Sequence, residues 1–190
     1  MIRLPQAPKS PFKYAAIVSL DPSGAGRSGI AVRLTATLQA NPGLDKLRAP
    51  DYVTSCDVWE PAAHDELTEY LFRYVGEGQR ALLVVEDAAY RSFKIARSLG
   101  TAIGSIKSTL VYCNLSRVDD IKFIAPKSWR TFAMPGVKAA DRDDWKAQAV
   151  ATVDARYDLK LDDNAAEAVL INDATVIGRK EWWTTKRRGA

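Results

Sequence analysis

Histidine and cysteine are scarce: the chain has one histidine, His64, and two cysteines, Cys56 and Cys113. A lone imidazole in a polar stretch excludes a multi-histidine metal centre and argues against a histidine-centred triad. Neither cysteine has a second Cys or a His at metal-ligand spacing, so no zinc site is expected. Reduced, buried thiols are expected, with a disulfide as the alternative. Long apolar runs are missing too, and none approaches the roughly 20 residues of a membrane-spanning helix. The proline-bearing stretch Met1–Tyr14 lacks the apolar core of a secretory signal. The expectation is a cytoplasmic protein with no membrane partner. The phosphate-binding pattern G-x-x-x-x-G-K-[ST] is absent, which excludes a motor ATPase.

A strong charge imbalance is also lacking. Lys and Arg total 27 against 23 acids, a net charge of +4. With 47% hydrophobic residues over 190 positions, the composition is that of one ordinary globular domain rather than a disordered chain. The basic excess permits a polyanionic partner without demanding one. It concentrates at the end, where Arg179, Lys180, Lys186, Arg187 and Arg188 face only Glu181. Trp182 and Trp183 lie inside this tail. They could stack on nucleobases or cap the core.

The order of elements is legible from periodicity. Ala15–Leu20 is short and apolar, as a buried strand is, and stops at the turn signal Asp21-Pro22-Ser23-Gly24. Gly29–Thr37 alternates and is β-branched, and Tyr52–Trp59 is a third candidate strand, together an antiparallel meander. Pro61 opens a helix with Leu67, Leu71, Tyr74 and Val75 at helical spacing, closed by Gly76 and Gly78. Ala81–Val85 is a central strand ending at Glu86. A long helix spans about Tyr90 to Tyr112, with Gly100 and Gly104 suited to close helix packing or to a subunit interface. Ile121–Ala125 is a fifth strand closed by Pro126, and helices follow over about Arg142–Tyr157 and Asp163–Ile177. The pattern β-β-β-α-β-α-β-α-α reads as an α/β domain with a mixed five-stranded sheet flanked by helices. Residues 1–13 form an N-terminal arm, 14–178 the domain and 179–190 a basic tail.

Gly24-Ala25-Gly26-Arg27-Ser28-Gly29 matches the dinucleotide-binding pattern G-x-G-x-x-G. That pattern needs a helix opening at the loop, whereas the next segment is β-branched and alternating. Asp21 would also turn a negative charge toward the phosphates. The glycines therefore read as a hairpin.

The acids are more telling. Asp21 ends the first apolar strand and Glu86 the fourth, while Asp162, Asp163 and Glu167 open the last helix. If those strands are neighbours, Asp21 and Glu86 lie side by side. Asp163 and Glu167, four apart, share a helix face. Two carboxylates about 4 Å apart repel by about 4 kcal/mol at an effective dielectric of 20. Such a cluster is tolerable around hard cations, and carboxylate oxygens suit Mg²⁺ or Mn²⁺. Two such ions can promote phosphodiester hydrolysis, and a basic protein makes nucleic acid the natural substrate.

These residues resemble the RNase H-like superfamily and, more closely, RuvC-type Holliday-junction resolvases of the compact phage and prophage kind. Ile17-Val18-Ser19-Leu20-Asp21-Pro22-Ser23 resembles their opening strand. Val84-Val85-Glu86-Asp87 resembles their second acidic motif, and Asp162-Asp163-Asn164-Ala165-Ala166-Glu167-Ala168 their closing motif. Ile124-Ala125-Pro126-Lys127-Ser128-Trp129-Arg130 and Asp144-Trp145-Lys146 fit between them. The resemblance spans about Ala15 to Ile177. It implies a homodimeric endonuclease that cuts branched DNA, above all four-way junctions, with two Mg²⁺ ions or Mn²⁺ in their place. Asp21, Glu86, Asp163 and Glu167 would be the metal ligands and Lys146 would stand beside the scissile phosphate. Lys127 or Arg130 would contact backbone phosphates, and Tyr90 or Phe93 would be the aromatic near the junction centre. Two positions depart from the family: Ser23 stands where glycine is usual, and Glu167 where aspartate is usual. An RNA–DNA hybrid, fork or flap nuclease on the same fold, or a non-catalytic branched-DNA-binding module, are the alternatives.

Overall fold

The chain was analysed as a computed structural model that describes residues 12–23, 26–38, 44–57, 61–75, 79–87, 93–112 and 120–184. The first apolar run forms strand β1 (Ala16–Asp21), which turns back into β2 (Ser28–Leu34) and then β3 (Tyr52–Cys56). After helix α1 (Pro61–Tyr74), strand β4 (Ala81–Glu86) leads to helix α2 (Phe93–Tyr112) and strand β5 (Ile121–Ile124). Helices α3 (Pro126–Ala133), α4 (Arg142–Tyr157), α5 (Asp163–Gly178) and the single turn α6 (Lys180–Trp183) complete the described fold.

The strands form one mixed sheet in the order β3-β2-β1-β4-β5. β1 pairs antiparallel with β2, and β2 with β3, as the meander reading expects. β1 pairs parallel with β4, and β4 with β5. The fold is the mixed, helix-flanked five-stranded α/β architecture expected from the sequence.

Period-two alternation sorts the strand residues onto two faces. Val18 and Leu20 of β1, with Leu83 and Val85 of β4, pack beneath α1 and α2 with Leu67, Leu71 and Ile106. Ile17, Leu82 and Val84 point the other way, toward α3, α4 and α5. By the same alternation Asp21 and Glu86 fall on the α5 face. Helix α5 is buried from Ala165 to Val176 because the sheet lies on one side and α3 and α4 on the other. A helix so enclosed needs small and apolar residues all round, and its run of alanines and valines supplies them.

Three expectations need correction. The second strand stops at Leu34 rather than Thr37. Thr35 opens a short 3₁₀ turn whose backbone N–H donates to Ala15 and whose hydroxyl donates to the Tyr14 carbonyl (2.7 Å). The third strand ends at Cys56, and Trp59 lies outside the described residues. Helix α3 was not expected at all. Pro126 does close β5, but it also occupies the first turn of α3, where a missing N–H costs nothing.

Gly100 and Gly104 meet no atom of the described residues within 4 Å of where a side chain would begin. Among the described residues, close helix packing does not account for them. Cys56 is buried, and Cys113 lies outside the described residues. Of the tail, Trp183 is buried and stacks on Phe12 at 5.5 Å between ring centroids, while Trp182 is partly buried under Arg179. Trp183 caps the core. Lys186, Arg187 and Arg188 lie outside the described residues.

Candidate functional site

Register brings the first two acids together. Leu20 pairs with Val85 in the parallel β1–β4 ladder, so Asp21 and Glu86 leave the sheet side by side at its carboxyl-terminal edge. That edge is where open α/β sheets bind ligands. The third acid comes from α5, and its position depends on a glycine. Gly29 pairs with Asp21 across the β1–β2 ladder, and a Cβ at Gly29 would collide with the Asn164 carbonyl. Only a residue without a side chain lets the first turn of α5 rest on β2. The sequence places this glycine where the hairpin meets the second strand; in the structure it lies in β2, and its role in setting the helix-to-sheet distance was not foreseen.

Glu167, one turn into α5, therefore reaches Asp21 and Glu86. Burial pushes the Asp21 carboxyl well above the ordinary carboxylate range, and the charges of Glu167 and Glu86 push it further, as does hydrogen bonding to both. Glu167 is pushed up for the same first reason, burial, and then by Glu86; Arg130, Lys146 and the bond with Asp21 pull it back.

The other predicted residues are placed as follows. Asp163 opens α5 and forms an ion pair with Lys146 of α4. Hydrogen bonding to Lys146 holds its carboxyl below the ordinary range. Asp162 accepts from the Ala165 backbone N–H (2.9 Å) and is the helix cap rather than a member of the cluster. Arg130 of α3 places its guanidinium 3.8 Å from Glu167. Lys127 is exposed one turn earlier on the same helix. Tyr90 lies outside the described residues, and the side chain of Phe93 does as well.

Two tryptophans complete the wall of the site. The Trp129 indole is fully buried and its Nε1–H donates to Glu86 Oε1 (3.0 Å). The Arg130 guanidinium lies 5.1 Å from the Trp129 ring centroid and 4.8 Å from that of Trp145. Both tryptophans fall in motifs that the sequence singled out, but which atoms they touch depends on how α3 and α4 cross.

Sequence reasoning missed a second buried polar cluster. Arg33 of β2 pairs with Asp173 of α5 (2.6 Å) and donates to Asn172 (2.9 Å). Arg156 and Tyr157 of α4 reach the same carboxylate at 2.5 and 2.9 Å. Asn172 and the Ala168 carbonyl also hold Ser19 of β1. The signal was present in the alternation, which turns Arg33 inward along with Gly29 and Ala31.

Mg²⁺ and Mn²⁺ fit the donor set. Three carboxylates, two of them raised in pKa by burial and mutual repulsion, form a pocket of hard oxygen donors whose charge lacks a full complement of cations. Among the described residues, however, no group of three or more His, Cys, Asp or Glu side chains is arranged as a formed metal site, so the fit is one of donor chemistry and not of ligand geometry.

No protein-family model matches the sequence, and no curated protein matches it. Solved structures do. The fold is similar to that of T. thermophilus RuvC in complex with a Holliday junction substrate, with a TM-score of 0.56 and 19% identity over 90% of this chain and 99% of that one. It is similar also to a second Thermus thermophilus RuvC structure, with a TM-score of 0.56 and 17% identity over 89% and 98% of the two chains. The class is thus a mixed-sheet α/β protein with carboxylates at the sheet edge, and its fold is similar to that of the two RuvC structures. Among the described residues no helix is long and apolar enough to cross a membrane.

Proposed function

We propose that this chain is a divalent-metal-dependent endonuclease acting on branched DNA, with the four-way junction as its preferred substrate. One observation carries the reading. Asp21, Glu86 and Glu167 converge on one sheet edge with Arg130 and Lys146 beside them. The likeness in fold to a RuvC bound to a Holliday junction supports the choice of substrate.

Asp21, Glu86 and Glu167 would hold the metal, with Asp163 joining once it parts from Lys146. Mg²⁺, or Mn²⁺ in its place, would supply Lewis acidity for phosphodiester hydrolysis, as a pair of ions in the fullest form of the site. The chain's own residues do the rest. Trp129 fixes one oxygen of Glu86 and leaves the other free to bind. Lys146, released from Asp163, is placed to meet the charge that develops on the scissile phosphate. Lys127, Arg130 and the basic end of the chain supply positive charge for flanking phosphates, and Tyr90 an aromatic for the junction centre. Residues 14–178 form the nuclease domain, between the arm 1–13 and the tail 179–190. Paired nicks require two sites, so the working form is a homodimer, with the Gly100–Gly104 face of α2, uncovered among the described residues, as its candidate contact.

The test is cleavage of labelled DNA on a denaturing gel with Mg²⁺, Mn²⁺ or EDTA. Symmetric, metal-dependent nicks in a four-way junction, with matched duplex spared, are expected. Cutting of an RNA–DNA hybrid or a fork alone would move the chain to a neighbouring nuclease class. Tight junction binding without cutting would make it a binding module.

A further inference from the structure

The carboxylate cluster carries its own cation, and the way that cation is held is unusual for a salt bridge. The Arg130 guanidinium lies 3.8 Å from Glu167, a charge contact rather than a hydrogen bond. Its Nε is buried and has no hydrogen-bond partner. Its close partners are aromatic: the guanidinium lies over the Trp129 ring and over the Trp145 ring. Cation–π contacts of this kind hold a charge in place without neutralising it. Trp129 also donates to Glu86 (3.0 Å), so the side chain that carries the arginine orients a second acid of the cluster. An arginine intended for structural pairing would be expected to grip its carboxylate through two parallel N–H bonds, and Arg33 shows that this fold can bring a guanidinium to within 2.6 Å of Asp173.

We propose that Arg130 is the built-in counter-cation of the cluster. The Trp129–Trp145 clamp holds its guanidinium against Glu167, where it competes with a divalent cation for that carboxylate and so sets the metal affinity of the site. Lys146 acts on Glu167 as well, but it is engaged by Asp163. Arg130 is held by the two rings and not by Lys146, so it stays near the cluster and offsets charge whether or not the lysine does. Its benefit is a folded protein that tolerates three adjacent acids; its cost is weaker metal binding. The inference rests on the proposed metal site and concerns how tightly that site binds.

Calorimetric titration of Mn²⁺ into the full chain, without DNA, tests it. Arg130→Gln removes the charge, and Mn²⁺ should bind about ten-fold more tightly than to wild type. Arg130→Lys keeps the charge and should stay near wild type. Arg73→Gln, the same charge change at an exposed position on α1, should leave the affinity within about two-fold. Arg130→Met, a second neutral replacement that keeps an apolar stem between the rings, gives the same reading should glutamine unsettle the fold. Equal or weaker Mn²⁺ binding by the neutral variants would overturn the counter-cation role while leaving the metal site standing. An absence of saturable Mn²⁺ binding to wild type would overturn the metal site, and the role of Arg130 with it.

Discussion

Glu167 and Asp173 stand on the same helix, both buried, and burial pushes both carboxyls above the ordinary range. Their surroundings differ. Asp173 is met by Arg33, Arg156 and Tyr157, each within hydrogen-bond distance. Glu167 is met by two more acids and by one arginine that does not quite touch it. At one end of α5 the fold closes its charge account, fixing how the helix lies on β2 and α4. At the other end it leaves negative charge in excess. A buried acid is thus no sign of function by itself; the mismatch between burial and compensation is. A fold that can surround Asp173 with two guanidiniums could have done so at Glu167.

That comparison can be broken experimentally, and the largest effect is expected at the uncompensated end. Asp21→Asn should reduce junction cleavage to background, since the cluster loses the acid shared by Glu86 and Glu167. The same change should raise the thermal midpoint by a few degrees, because relieving repulsion by about 1 kcal/mol moves a domain of this size by roughly 2–4 °C. Surviving cleavage, or a lowered midpoint, would mean that the cluster is structural after all. At the compensated end the signs reverse. Asp173→Asn should destabilise the protein by about 3–5 kcal/mol in urea unfolding, because Arg33 and Arg156 would be left buried without a counter-charge. A loss below about 1 kcal/mol would show that the network is not what seats α5.

The smallest effect sharpens the contrast through pH. Asp21 and Glu167 bind their protons more tightly in the folded chain than in the unfolded one. The native state therefore holds more protons above the ordinary carboxylate pKa of about 4, and stability falls as pH rises through the raised values. Asp163 runs the other way: its carboxyl is lowered, so its contribution is present at neutral pH and is lost in acid. Between about pH 5 and 8, without divalent metal, wild-type stability should decline by about 1 kcal/mol, and Asp21→Asn should decline less. Equal slopes in the two proteins would place the excess proton on another group.

Much of this was legible in the chain. The five strands in chain order, and Asp21 and Glu86 at the ends of two of them, follow from apolar runs that end in acids; that those two strands are neighbours was a condition, which the β1–β4 pairing meets. Glu167 was legible from its place in the last helix. The rest depended on distances that periodicity does not carry. Gly29 read as the glycine between hairpin and strand, and nothing local says that a helix more than a hundred residues later will touch it. Helix α3 was hidden because Pro126 is both a strand stop and a helix start. Asp162 and Asp163 are adjacent acids of equal charge, and only the cap geometry separates the one that ends the backbone from the one that meets Lys146.

The order of strands also bears on how the chain comes to fold. β1, β2 and β3 are consecutive and antiparallel, so they can zip from a local hairpin, with Asp21 as the only one of the three acids present. Glu86 arrives when β4 makes a parallel, non-local pair with β1, a step that must first close a long loop. Glu167 arrives with α5, later still in the chain. As the polypeptide emerges, the acids are gathered one at a time, and the repulsion among them is met only when most of the core that outweighs it is already in place.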